Sequence, residues 1–175
     1  IDEYNSPLME ATDGSYYFFK SLNLMNLKLP KEDLDKIILA DSKYFEQNYL
    51  RELETSQLVV ILKIYYLLGY YEKINESHIY ALKEEIERRI TSEGVKQYRT
   101  GFFSSEATYY VLFYGYLSNY LERFKNLEIL DKVVIRIYRN LEVINFCVET
   151  SYDLVSELFY SCETLKLFNC IETKE

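Results

Sequence analysis

One histidine in 175 residues leaves little room for the usual proton-transfer and metal chemistry of proteins. His78 has no second imidazole with which to share a metal, and no nearby pattern supplies it with a serine or cysteine to activate. Glycine occurs five times and proline twice. The glycines are scattered, so neither GxGxxG nor a P-loop can be assembled to cradle a phosphate. Three cysteines, Cys147, Cys162 and Cys170, lie near the C-terminus without a CxxC pair. They predict buried free thiols in a reducing compartment, hence a cytoplasmic protein. The longest apolar run, Leu58 to Tyr71, is shorter than the roughly 20 residues a membrane helix needs, and Lys63 interrupts it. No transmembrane segment is expected. Basic residues are outnumbered 20 to 28 by acidic ones, giving a net charge of −8. That charge repels phosphate backbones and anionic lipid at long range, and the cations form no block, so nucleic acid is not an expected partner.

What the chain has instead is apolar surface: 49% hydrophobic residues, with 19 tyrosines and 10 phenylalanines. That is enough for one domain over residues 1–175. A short pattern, an acid followed by a small or hydroxyl residue and then Ser or Thr, recurs at Glu10, Glu54, Glu106 and Glu149, at intervals of 44, 52 and 43 residues. Each copy precedes an apolar run, as in "EATYYVLFYGYL". A period of this length accommodates two helices and their connections. The predicted repeat units are 6–50, 51–100, 101–145 and 146–175.

The two helices of each unit have different faces. The runs after the acids are apolar nearly all round and must be covered on every side. Between them lie amphipathic stretches: 30–45 with Leu34, Ile37 and Ile38; 78–90 with Ile79, Leu82, Ile86 and Ile90; 126–141 with Leu127, Leu130, Val134, Ile137 and Leu141. These predict outer helices with one apolar stripe, and they leave His78 and the "EEIE" carboxylates on a solvated face. Alternating buried and outer helices predict an all-α fold, an open arc of about four inner and about three outer helices.

The inner-helix pattern "TGFFSSEATYYVLFYGYL" resembles that of the α/α toroid proteins, the fold shared by protein prenyltransferase β subunits and terpenoid cyclases. The resemblance implies a partial toroid around an apolar cavity that accepts isoprenoid or peptide groups. It does not extend to the catalytic motifs. The DxDD string of the protonating cyclases is absent, Asp33 and Asp35 sit in a predicted outer helix, and the Asp, Cys and His that hold zinc in the prenyltransferases have no counterpart.

Two readings of the four glutamates remain. A carboxylate in the first turn is favoured by the helix dipole, by about 0.3 to 1 kcal/mol. Alternatively the inner helix starts converge at one mouth of the arc, where Glu10, Tyr16, Glu54, Glu106, Tyr109, Tyr110, Glu149 and Tyr152 meet a ligand. The unit from 146 has no outer helix after it, so Leu154, Leu158, Phe159, Leu165 and Phe168 are expected to form an apolar flank for self-association or an adjoining domain. Together these features predict a non-catalytic helical-repeat module, without cofactor or metal, that binds an apolar small molecule or a partner protein. The alternatives are a prenyltransferase-like or cyclase-like enzyme domain, incomplete in this chain, and a peptide-sensing helical repeat. The latter has a shorter period in its tetratricopeptide form, roughly 34 residues.

The missing acid cluster and the single histidine make a prediction of their own. Purified protein should hold no stoichiometric zinc by metal analysis and turn over no prenyl diphosphate alone. Zinc lost together with activity on changing Cys147 or His78 would contradict it.

Overall fold

The computed structural model describes residues 7–30, 32–33, 45–67, 76–117, 128–146 and 152–167. Among these the chain is mostly helical. Seven helices are seen there: α1 (Pro7–Leu24), α2 (Gln47–Leu50), α3 (Thr55–Leu67), α4 (Glu76–Glu87), α5 (Ser105–Leu117), α6 (Ile129–Phe146) and α7 (Tyr152–Leu167). One two-stranded antiparallel sheet, β1 (Ile90–Thr91) with β2 (Gly94–Val95), lies between α4 and α5 in the chain. The all-α class therefore holds apart from this small hairpin. The outer helix expected at 30–45, with Leu34, Ile37 and Ile38, falls largely outside the described residues.

Two compact units, Ile1–Glu87 and Arg88–Glu175, each have a core of their own. In the first, α3 is the apolar centre: Leu58, Val59, Ile61, Leu62 and Tyr65 are all buried. Helices α1 and α4 pack on it. The Asn23 amide donates to the Leu67 carbonyl (3.3 Å), while Tyr16 and Lys20 lie near Lys63. Contacts that advance together along both helices mean that α1 and α3 run side by side in the same direction. Helix α1 stops because Asn26 takes a left-handed conformation (φ 57°), letting the Leu27 amide donate to Leu22 and that of Asn26 to Asn23.

Helix α4 presents His78, Ile79, Leu82, Glu85 and Ile86 to the interior. This corrects two expectations. His78 is not a surface residue but 4% exposed, its ring stacked on Phe45 with centroids 3.9 Å apart and planes within 3°. It stands four residues before Leu82 and so falls on the same stripe. Glu85, expected on the solvated face, is also buried, next to Ile86 on the stripe's edge. A third correction concerns Ile90, which opens β1 instead of continuing α4.

In the second unit the hairpin leads into α5. Gly94 carries a φ of +132°, and a Cβ there would stand 3.3 Å from the Arg136 guanidinium, so only glycine fits the turn without strain. The strand reaches α5 through the Val95 amide, which donates to Thr108 Oγ1 (3.3 Å), and through the Ser104 amide, which donates to the Val95 carbonyl (3.0 Å). The "TGFF" stretch forms a turn closed by the Gln97 amide on the Phe102 carbonyl (3.1 Å), with Phe102 exposed at its tip. On α6 the buried line runs through Val133 and Ile137, and Val134 is half-buried. Helices α6 and α5 both pack against α7.

Candidate functional site

Helix α5 has no polar face, so its start is buried, and buried amides need acceptors. Ser104 Oγ accepts from the Ala107 amide (3.1 Å), as an N-cap does. The Ser105 amide donates to both carboxylate oxygens of Glu157 on α7, at 3.1 and 3.3 Å. Ser161 Oγ donates to Ser105 Oγ at 2.9 Å, and both serines are buried. Thr108 Oγ1 donates to the Ser104 carbonyl (2.7 Å) and accepts from Val95. Ser105 and Ser161 thus meet at the α5–α7 contact. Burial lowers the Arg136 pKa, and the Glu157 carboxylate opposes that shift. The Arg136 guanidinium donates to the Glu93 carbonyl (3.4 Å) and lies 6.0 Å from the Phe103 ring.

One turn beyond this polar start lies an aromatic cluster. Tyr109 meets Tyr110 edge-on at 5.5 Å between centroids, and both meet Tyr160 of α7, at 5.7 and 6.0 Å. Phe113 extends the cluster from Tyr109 (6.0 Å) and Phe159 from Tyr160 (5.2 Å). Tyr109, Tyr110, Phe113 and Tyr160 are half-buried, whereas Phe159 is 57% and Val155, one turn before it, 52% exposed. Lys166, ion-paired with Glu163, borders the cluster, and the hydrogen bond it donates to the Glu163 carboxylate raises its pKa.

The first unit holds a different arrangement. Lys63 is 8% exposed on the otherwise apolar α3, with Nζ 5.5 Å from the centre of the Tyr16 ring. Lys20, one turn after Tyr16, sets its own Nζ 5.6 Å from the same ring. Burial, and then the Lys20 charge, lower the Lys63 pKa from 10.5 to about 8. Nearby in sequence, burial raises the Tyr65 pKa, and its fully buried hydroxyl has no hydrogen-bond partner among the described residues.

The expected site residues are placed as follows. Tyr109 and Tyr110 come together with Tyr160, and Glu106 is half-buried in the first turn of α5. Glu54 directly precedes α3, and its amide donates to Gln57 Oε1 (2.9 Å), the backward half of a capping box. Tyr16 joins Lys20 and Lys63 in the first unit. Glu10 lies within α1 and Tyr152 opens α7. Glu149, Phe168, Cys147 and Cys170 lie outside the described residues, and Cys162 is a half-buried free thiol. Leu154, Leu158 and Leu165 are half-buried along α7. Sequence reasoning passed over Glu157, Ser161 and Tyr160. Their signal was the "SELFYS" stretch, in which Glu157 and Ser161 are four apart and so share one face of α7.

Among the described residues, no group of three His, Cys, Asp or Glu side chains could hold a metal, and no helix is long and apolar enough to cross a membrane. Comparison with known proteins gives no family-model match, no match among curated proteins and no match among solved structures.

The buried lysine sets a pH dependence. Between about 8 and 10.5 the unfolded chain keeps a proton that folded Lys63 has released, so this residue's cost to stability is full below pH 8 and fades as pH rises to 10.5. Lys63→Met should therefore stabilise the fold at pH 7 by about 1 to 2 kcal/mol after allowance for solvent screening. Urea unfolding at pH 7 and pH 10 checks this, and the gain should shrink at the higher pH.

Proposed function

We propose that this chain is a non-catalytic helical-repeat module that binds protein, and that its contact surface is the aromatic edge of α5 and α7. The supporting observation is the pair Val155 and Phe159, one helical turn apart and both more than half exposed, adjoining the cluster of Tyr109, Tyr110 and Tyr160. Aromatic residues that are half-packed and half-exposed supply contact area at low entropic cost, and tyrosine adds a hydroxyl that tolerates a wet rim. An isolated exposed apolar residue would carry no such meaning. Within the first unit, the shared direction of α1 and α3 supports reading both as inner helices of the repeat, with α4 as an outer one. In this reading Glu54 and the hydroxyl residues at the start of α5 serve the helix starts, and the tyrosines one turn later serve the partner. The half-buried thiol of Cys162 suits a reducing, cytoplasmic setting.

A second copy of the chain is the simplest partner to test. Sedimentation velocity should show reversible self-association of the wild type, lost in Phe159→Glu and Val155→Glu, with unfolding free energies within about 1 kcal/mol of wild type, as for other exposed positions. A wild-type monomer at every concentration would exclude self-association. Association that survives both substitutions would place the contact elsewhere.

A further inference from the structure

We infer, resting on the reading of the α5–α7 edge as a contact surface, that its occupant is the exposed apolar stripe of α1 in a second copy, so that copies join head to tail.

The stripe is built by helical spacing. Gly14, Tyr17, Phe18, Ser21, Leu24 and Met25 recur at steps of three or four, and at 100° per residue they fall within about one third of the helix circumference. Met25, just past the last helical residue, keeps the helical bond from its amide to the Ser21 carbonyl (3.0 Å). All six are exposed, the four large ones by 48 to 79%. On the opposite side of α1, Phe19 is buried and Asn23 donates to the Leu67 carbonyl of α3. Helix α1 therefore turns a second apolar side away from its own core. Helix α7 has the same form. Glu157, Tyr160 and Ser161 are turned to α5, while Val155 and Phe159 project from the other side.

Area and charge both fit one surface to the other. At about 200 to 250 Å² per large apolar residue, the stripe leaves about 600 Å² of α1 open, and Val155, Phe159 and the half-exposed rings beside them leave about 400 Å². An apolar patch of about 600 Å² is at the upper end of what monomers expose. Joined, the two surfaces cover about 1,000 Å², the extent at which a specific contact becomes stable. Residues 1–87, the unit that holds α1, carry 16 acidic and 9 basic side chains, whereas residues 88–175 carry 12 and 11. Two α1 stripes brought together would set one acidic unit against another. Seating the nearly neutral unit on α1 avoids that repulsion, and the stripe has no charge to desolvate. The contact also repeats a packing already present, one helix laid along the next, as α1 lies on α3 and α7 on α5. Gly14 and Ser21 leave gaps between the large side chains of the kind a protruding ring fills. Because the joined surfaces differ, each copy offers one of each kind, and contacts continue into a ring or an open chain.

Complementation tests this, read by sedimentation velocity of the full-length chain. Leu24→Glu removes the stripe and keeps the edge, whereas Phe159→Glu removes the edge and keeps the stripe. Each alone should need at least about tenfold higher concentration than wild type to associate. An equimolar mixture should form pairs of one of each, because one intact surface of each kind remains. Gly14→Met is a second variant of α1: a Cβ there meets nothing within 4 Å, so the fold tolerates it, and the added side chain should weaken association several-fold by filling a gap. If Leu24→Glu and Gly14→Met both associate as wild type does, the role of α1 is overturned while the edge stands. If Phe159→Glu alone associates as wild type does, the edge itself is not the contact. A mixture that stays monomeric, or wild type monomeric at every concentration, would overturn the head-to-tail contact.

Discussion

A helix with no polar face has to be enclosed on all sides, and enclosure buries the amides at its start. Helices α3 and α5 both face this constraint, and much of the described structure answers it. At α3 the Glu54 amide is taken by Gln57. At α5 the answer extends beyond the helix itself, because Glu157 of α7 accepts from the Ser105 amide while Ser161 bonds the Ser105 hydroxyl. The hairpin joins in through Val95 and Thr108. Satisfying the start of α5 therefore fixes the register of α7 and the position of the β-hairpin together. A buried donor left without an acceptor costs about 1 to 3 kcal/mol, more than most single contacts contribute.

The same arrangement explains why the polar and aromatic halves of "SSEATYYVLFYGYL" sit side by side. Serine and threonine are consumed by capping and by close helix packing. The tyrosines that follow stand one turn further along, where α5 and α7 leave their rings half-covered. In the first unit the lone basic residue of α3 has a similar origin: Lys63 lies on a helix with no polar face, so its ammonium is drawn to an aromatic ring. Buried charge and half-covered rings are both by-products of helices too apolar to face water.

Much of this was legible from residue order. The apolar runs marked α3 and α5 because nothing in them could face solvent, and the hydroxyl-rich starts marked their first turns. The amphipathic stripe marked α4, and it also carried the information that His78 is buried, since histidine there repeats the spacing of Leu82 and Ile86. The hairpin at Ile90 was hidden: two-residue strands show no periodicity, and only the glycine with positive φ betrays the turn. Glu157 was hidden for another reason. Its partner is a backbone amide 52 residues away, and no local pattern encodes an acceptor for a donor on another helix. The meeting of Lys20 and Lys63 was out of reach on the same grounds, because it depends on how α1 and α3 align.

The dependence of the second unit on the start of α5 can be measured at one atom. Native-state hydrogen exchange of the Ser105 amide, compared between wild type, Glu157→Gln and Glu157→Ala, isolates the acceptor from the rest of the fold. A carboxamide oxygen still accepts, so Glu157→Gln should retain most of the protection, while Glu157→Ala should lose it and lower the unfolding free energy by about 1 to 3 kcal/mol. Ser105 protection and stability unchanged in Glu157→Ala would contradict the account, because the α5 start would then be satisfied without α7.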